Sequence, residues 1–159
     1  MALVEIVRHS RGIVRIVLND PEGRNAMGVR LRGPLEKALA ELLADPAARV
    51  LIIASALPNF SVGGDLSRMD ALTDPKAGRR RIVAAHPLVR RLLAAEKPII
   101  AEVEGYAVGA GAGLVLTADT IVMGHGASLG FNFFRVGLVP DFGIAHTLPR
   151  RIGFGRAQD

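Results

Sequence analysis

The sequence has 159 residues, of which 50% are hydrophobic. This is enough to bury one sizeable core, so we expect a single domain across residues 1–159. The net charge is +5 with a pI near 10.7, but aromatic residues make up only 4% and the basic residues are scattered. A nucleic-acid partner with base stacking is therefore not expected. The absence of cysteine excludes disulfides and thiolate metal sites.

The first residues alternate apolar and polar side chains and then meet Arg8, His9 and Arg11. This pattern is neither the apolar core of a signal peptide nor a membrane span. We expect a soluble, cytoplasmic protein with no membrane partner. Lys76 and Arg79–Arg81 form the one compact basic cluster, which fits either a solvated helix face or a patch that attracts an anionic substrate.

The first third of the chain predicts a β-hairpin followed by a β-α-β unit. Residues 4–7 and 12–18 are rich in β-branched side chains and flank turn residues. Leucine and alanine then recur at helical spacing between Leu31 and Leu42, and Asp45-Pro46 ends that helix. Residues 50–56 are continuously apolar, as in a strand that is covered on both faces.

The remaining sequence alternates helical and strand patterns. We predict a helix at 82–95, a strand at 98–103, a short helix at 113–118 and a strand at 120–123. This alternation favours an α/β layer fold with parallel pairing and right-handed crossovers. Residues 150–159 are predicted to be a loop that leads into the first turn of another helix.

Two stretches rich in small residues each follow a predicted strand: Phe60–Leu66 and Gly105–Gly113. Small residues let backbone N–H groups approach a ligand closely, and two converging N–H groups form an oxyanion hole. A packing turn with no ligand is the alternative interpretation. A dinucleotide fingerprint is disfavoured, because the glycine spacing differs and no acidic residue lies about 20 positions beyond Gly109.

Together with residues 21–27 and 97–101, the two stretches resemble the crotonase superfamily, also called the enoyl-CoA hydratase/isomerase family. The resemblance runs from about residue 4 to the last residue. It implies a crotonase-like layered fold built from repeated ββα units, without the C-terminal helical region through which the family forms trimers. It also implies an acyl-CoA thioester as partner, coenzyme A as part of the substrate and no separate cofactor, and a trimeric or hexameric homo-oligomer in the full-length protein.

The resemblance also implies roles for individual residues. The oxyanion hole would be formed by the backbone N–H groups of Gly64 and Ala110. The residues implied to contact the acyl-CoA are Arg24, Ala26, Val62, Gly64, Asp65, Leu66, Ala110 and Phe133. Two alternatives stay open: Asp65 could cap nearby backbone N–H groups, and Arg24 could simply face water.

Two positions depart from the pattern of the family's hydratases, and this departure bears on which residue transfers protons. The two glutamates of the family's hydratases match Gly113 and Phe133, which cannot exchange a proton. Asp141 remains, in a segment that resembles the isomerase branch, where an aspartate is the acid/base. The apolar neighbours Phe131, Phe133, Phe134, Leu138 and Phe142 would raise the pKa of Asp141. The alternatives are a turn aspartate at 141, with Glu104 as a weaker catalytic candidate.

The favoured activity is double-bond isomerisation of an enoyl-CoA. The alternatives are dehalogenase- or hydrolase-like chemistry with Asp141 as nucleophile, and a non-catalytic protein that binds acyl-CoA or forms oligomers. His9, His86, His125 and His146 lack metal-ligand spacing, so no metal is expected. No nucleophile-elbow sequence supports a hydrolase triad at Ser61.

Overall fold

The computed structural model describes residues 2–65 and 74–159. The strands are β1 (Val4–Arg8), β2 (Ile13–Leu18), β3 (Val50–Ser55), β4 (Ile99–Val103), β5 (Tyr106–Val108), β6 (Thr120–Met123) and β7 (Ser128–Gly130). The helices are α1 (Val29–Ala44), α2 (Pro75–Val83), α3 (His86–Leu93), α4 (Ala110–Leu116), α5 (Ile144–Ile152) and α6 (Phe154–Gln158). Short 3-10 turns lie at Ser10–Gly12 and Asn132–Val136.

The main sheet has the strand order β1-β2-β3-β4-β6. β1 and β2 pair antiparallel, which confirms the predicted hairpin, and the other neighbours pair in parallel. β2, α1 and β3 form the predicted β-α-β unit. β5 and β7 form a second, parallel pair, and Ser61 joins β5 by a bridge to Ala107. In chain order, β4-β5-α4 and β6-β7-α5 are ββα units.

Helix α1 packs on the sheet through one apolar face. Its buried residues, Leu31, Leu35, Ala38, Leu39 and Leu42, recur three or four positions apart. They join Leu51 and Ile53 of β3 in the main core, where burial of one leucine side chain contributes about 1.5–3 kcal/mol. The Lys97 Nζ donates to the carbonyls of Leu42 and Asp45 at 2.7 and 2.6 Å, which satisfies acceptors at the end of α1.

Three predicted boundaries are wrong. The helix predicted at 82–95 is two helices, because Pro87 at the start of α3 has no N–H to continue α2. The helix predicted at 113–118 begins three residues earlier, at Ala110, and the stretch before it contains β5 and a turn at Gly109 with φ of 52°. Residues 150–152 belong to α5 and not to a loop, and Gly153, with φ of 83°, separates α5 from α6.

Among the described residues, no helix combines the length and the apolar character that crossing a membrane requires.

Candidate functional site

Two cavities meet at Val62 and Gly64, which line both. The first, called here the Asp141 cavity, has a volume of about 490 Å³ and is also lined by Ala110, Phe133 and Asp141. The second, called here the Arg24 cavity, has a volume of about 500 Å³. The residues from the predicted set that line it are Arg24, Ala26, Val62, Gly64 and Asp65. Leu66 lies outside the described residues.

Strand pairing brings the two glycine-containing stretches together. The Ser61 N–H donates to the Tyr106 carbonyl at 3.2 Å, and the Val108 N–H donates to the Ser61 carbonyl at 3.0 Å. Directly after this bridge, Gly63 adopts a φ of +96°, and an added Cβ would lie 2.6 Å from the Val108 oxygen and 3.7 Å from the Ala110 nitrogen. A side chain at 63 would therefore push the two stretches apart.

The N–H groups of Gly64 and Ala110 are available to a ligand. Ala110 is the first residue of α4, where a helix leaves its N–H groups without intrahelical partners. Within residues 2–65 and 74–159, neither N–H donates to a backbone carbonyl, whereas the neighbouring Gly109 N–H donates to the Gly130 carbonyl at 2.8 Å. The geometry therefore offers two free donors at the junction of the two stretches.

Asp141 lies between the 3-10 turn at Asn132–Val136 and helix α5, on a backbone with unusual torsion angles. Phe142 has a φ of 51° and Gly143 a φ of 82°, and the Ile144 N–H donates to the Asp141 carbonyl at 3.0 Å. A positive φ at a phenylalanine is costly, so the packing around Phe142 must hold it in place. These backbone torsion angles set the direction in which the Asp141 side chain projects from the backbone.

The carboxyl group of Asp141 is partly buried and incompletely hydrogen-bonded. Its Oδ1 is shielded from solvent and has no hydrogen-bond partner in the described part of the chain. Burial raises the pKa of Asp141 above its ordinary value, while the positive charge of Arg81 opposes the rise. The direction agrees with the prediction from its apolar neighbours.

The wall around Asp141 is mostly apolar. The apolar side chains that line the cavity are Val62, Ile82, Val108, Phe133, Val136, Leu138 and Val139. Of the described lining residues, Asp141 carries the only carboxyl group. Of the five apolar neighbours expected around Asp141, Phe133 and Leu138 line the cavity. Phe134 is not among the lining residues and is 78% exposed. Phe142 is buried instead against Gly113.

Arg81 is a lining residue that the sequence analysis did not assign to the site. Its Nη2 donates to the Asp65 carbonyl at 2.9 Å and lies 3.4 Å from the position of a Cβ added to Gly64. Its Nη1 is buried and has no partner among the described residues. Arg79 and Arg80 are exposed, which fits the interpretation as a solvated helix face, whereas Arg81 is half-buried and lines the cavity.

Helical spacing could have identified this arginine. Gly78, Arg81 and Ile82 stand three and four positions apart on α2, and all three line the Asp141 cavity. The basic cluster therefore contains one residue that belongs to a different face from its neighbours.

Asn25 fixes the loop that lines the Arg24 cavity, and its role was also missed. Its buried side chain accepts from the Asp20 N–H at 2.8 Å and donates to Ser55 Oγ at 2.9 Å and to the Phe60 carbonyl at 3.1 Å. Arg24 and Asn25 have φ values of 50° and 55°, a conformation that asparagine tolerates well. Arg24 itself is exposed at the rim.

Three further residues considered in the sequence, Asp65, Ser61 and Glu104, lie in different surroundings. The Asp65 carboxyl packs on Gly28, where an added Cβ would lie 3.2 Å from Asp65 Oδ2. Ser61 Oγ is buried, donates to the Asn25 carbonyl at 2.6 Å and accepts from the Gly63 N–H at 3.1 Å, so its proton and one lone pair are engaged. Glu104 is exposed after the end of β4 and lines neither cavity.

In the part of the chain with described coordinates, no three His, Asp or Glu side chains form a group that could hold a metal ion.

Known proteins share both the sequence pattern and the fold. The family model "Enoyl-CoA hydratase/isomerase" matches residues 8–159. The chain is 34% identical over 152 residues to the 1,2-epoxyphenylacetyl-CoA isomerase of Escherichia coli, covering 92% of this chain and 57% of that protein. It is 32% identical over 151 residues to the mitochondrial enoyl-CoA hydratase domain-containing protein 2 of Mus musculus, covering 94% of this chain and 51% of that protein.

Among solved structures, the enoyl-CoA hydratase of Thermoplasma volcanium superimposes with a TM-score of 0.88 at 29% identity, covering 98% of this chain and 62% of that chain. The chain thus spans between about half and three fifths of these proteins. The parallel sheet and the ββα order agree with the crotonase-like fold that the sequence predicts. The chain belongs to the enoyl-CoA hydratase/isomerase family of the crotonase superfamily.

Proposed function

We propose that this chain carries the acyl-CoA site of an enoyl-CoA isomerase that moves a carbon–carbon double bond. One observation carries the proposal: Asp141, Gly64 and Ala110 line one largely apolar cavity, and the Asp141 Oδ1 and the two backbone N–H groups have no hydrogen-bond partner among the described residues. A thioester needs a proton acceptor near its α-carbon and donors at its oxygen, and these groups supply both.

The reaction proceeds through an enolate. Asp141 removes a proton from C2 of a 3-enoyl-CoA, and the electron pair moves onto the thioester oxygen to give a dienolate. The N–H groups of Gly64 and Ala110 donate to that oxygen, and one such preorganised donor contributes about 3 kcal/mol to the transition state. Asp141 then returns the proton to C4, which leaves the double bond between C2 and C3.

A single carboxyl group is sufficient for this proton transfer. Addition of water in the family's hydratases uses two glutamates, and the positions that match them hold Gly113 and Phe133. Neither side chain exchanges protons. The single carboxyl group among the described lining residues supports isomerisation over hydration.

The coenzyme A part of the substrate is assigned to the Arg24 cavity. The thioester would lie at Gly64, where the two cavities meet, with the acyl chain in the Asp141 cavity. The exposed Arg24 guanidinium is suited to a phosphate, and Ala26 and Val62 offer small, apolar contacts to the pantetheine arm.

Nucleophilic attack by Asp141 is the second candidate reaction. The Asp141 Oδ1, which has no partner among the described residues, supports it. A carboxylate can attack the thioester carbonyl, which breaks the C–S bond, releases coenzyme A as the thiolate and leaves a mixed anhydride. The printed name of the Escherichia coli relative, an isomerase, favours isomerisation over this reaction, while the relatives from Mus musculus and Thermoplasma volcanium carry hydratase names.

The test follows isomerisation and adduct formation in parallel. The purified protein is mixed with 3-hexenoyl-CoA, and ultraviolet absorbance reports conversion to the conjugated 2-enoyl thioester. Intact-mass and peptide mass spectrometry of the same mixture report any acyl adduct on Asp141. Turnover without an adduct supports the isomerase. An adduct on Asp141 supports the nucleophile, and binding with neither outcome supports a non-catalytic acyl-CoA-binding protein.

We also propose that the protein works as a homo-oligomer. Large apolar side chains are exposed at Val29, Phe134, Val139 and Phe154, each by at least 67%. Such surface favours association with a further copy. Light scattering that shows a stable monomer across the micromolar range contradicts this proposal.

A further inference from the structure

We propose that the acyl group of the substrate carries a neutral oxygen acceptor, such as a ketone or hydroxyl oxygen, and that Arg81 binds it through Nη1. The inference rests on the proposed acyl-CoA function and specifies the substrate class of that site. Arg81 is then a specificity-determining residue.

The hydrogen-bonding state of Arg81 supports this proposal. Nη2 is held by the Asp65 carbonyl at 2.9 Å, which fixes the guanidinium next to Gly64. Nη1 is buried without a partner among the described residues, although a buried donor without a partner costs about 1–3 kcal/mol. Asn132 and Asp141 are the described lining residues whose side chains carry acceptor oxygens, and neither accepts from Nη1. An oxygen on the acyl group would supply the missing acceptor.

A purely hydrocarbon acyl chain fits this cavity poorly. It would cover the guanidinium with apolar atoms and leave Nη1 without water or any other acceptor. Arg81 lies beside Gly64, where the thioester is proposed to sit, so an oxygen within the first few carbons of the acyl chain is in its vicinity. A plain enoyl chain would therefore lose affinity relative to an oxygen-bearing chain of the same length.

Charge balance favours a neutral oxygen over a carboxylate. Arg81 contributes one positive charge, and Asp141 contributes one negative charge when it acts as a base. A substrate carboxylate would add a second negative charge next to Asp141, in an apolar cavity where charge is poorly solvated. Arg135 also lines the cavity but is exposed, so water screens its charge.

The test measures affinity by calorimetry for four ligands of equal chain length: hexanoyl-CoA, 4-oxohexanoyl-CoA, 5-oxohexanoyl-CoA and adipoyl-CoA. The wild-type protein is expected to bind at least one oxo ligand about tenfold more tightly than hexanoyl-CoA. Arg81→Met should reduce this preference, measured as the ratio of the two Kd values, to less than about twofold. Arg81→Lys keeps a charged donor and should retain part of the preference.

Arg79→Met is the matched control, because Arg79 is an exposed arginine on the same helix and should leave all four affinities unchanged. Thermal melting establishes that each variant is folded. Equal affinity of wild-type protein for hexanoyl-CoA and both oxo ligands overturns the inference, as does an unchanged preference in Arg81→Met. If adipoyl-CoA binds most tightly and Arg81→Met abolishes that preference, the group bound by Arg81 is a carboxylate, and the proposal of a neutral oxygen is overturned. Failure of hexanoyl-CoA and every other ligand to bind overturns the proposed function itself.

Discussion

Gly113 and Phe142 are packed so closely that no side chain fits at position 113. An added Cβ would lie 2.8 Å from both the Cβ and the carbonyl oxygen of Phe142. The family resemblance implies that Gly113 stands at the position of one of the two glutamates of the hydratases, and Phe142 occupies the space that such a side chain would need. The same contact supports the residue next to Asp141 and explains how its positive φ is maintained.

Substitution of Gly113 by alanine should therefore displace Phe142 and with it Asp141. We expect the isomerisation rate to fall by roughly ten- to a hundredfold, since a shift of about 1 Å in a catalytic group has an effect of this size. Gly78→Ala is the control, because Gly78 lines the same cavity and has no atom within 4 Å of an added Cβ. Steady-state kinetics of both variants makes the comparison. Equal rates in Gly113→Ala and wild type would contradict the positioning role of this contact.

Replacement of Asp141 by asparagine should separate binding from chemistry. Asparagine keeps the shape of the side chain but accepts no proton, so kcat should fall by roughly two to four orders of magnitude while the Kd for acyl-CoA changes little. Glu104→Gln removes the other candidate carboxylate and should retain full activity, because Glu104 lies outside both cavities. The acid/base assignment is wrong if Asp141→Asn isomerises as fast as the wild type.

The pH dependence of the rate should follow the ionisation of Asp141. The pKa of this carboxyl group lies above its ordinary value of 3.8 because of burial, and a base must be ionised to act. The rate should therefore fall on the acid side with a midpoint above 3.8. Arg81 lowers the pKa of Asp141, so Arg81→Met should move the acid limb to higher pH. A limb that stays in place or moves to lower pH in a kcat/KM profile contradicts this coupling.

Gly63 should be intolerant of any side chain. Its φ of +96° and the 2.6 Å approach of an added Cβ to the Val108 oxygen combine torsional strain with a backbone clash. We expect Gly63→Ala to lower the free energy of unfolding by about 1–3 kcal/mol. The variant should also bind acyl-CoA more weakly, because the added side chain separates Gly64 from Ala110. Gly155→Ala is the control, since an added Cβ there meets nothing within 4 Å. Denaturant unfolding and calorimetry measure the two effects, and equal stabilities of the two variants would refute the argument.

Asn25 should be required for the shape of the Arg24 cavity. Asn25→Ala leaves the buried Asp20 N–H without its acceptor. It also removes the amide group that donates to Ser55 Oγ and to the Phe60 carbonyl. We expect a loss of about 2 kcal/mol or more in stability and a rise in the Kd for coenzyme A itself. Asn19→Ala removes only an exposed hydrogen bond to Glu5 and should change little. Thermal melts and calorimetry of these variants provide the measurement.

Local sequence patterns determined most of the main sheet. The alternation and β-branched content of residues 4–18 predict the hairpin, and the leucines from Leu31 to Leu42 predict α1, because each pattern matches the period of one element. The apolar stretches at 50–56 and 98–103 predict buried parallel strands for the same reason. β5 and β7 were missed, since each has only three residues and depends on its partner strand.

The family resemblance predicts roles for Gly64, Ala110 and Asp141, but only the tertiary structure determines that these three residues line one cavity. Their proximity depends on the bridge between Ser61 and Ala107 and on the packing of Phe142 against Gly113. Both interactions join residues that are distant in sequence. The same limit applies to Arg81. Its charge is visible in the sequence, but its burial beside Gly64 arises from the way α2 packs, and no local pattern encodes the partner that a side chain meets across the fold.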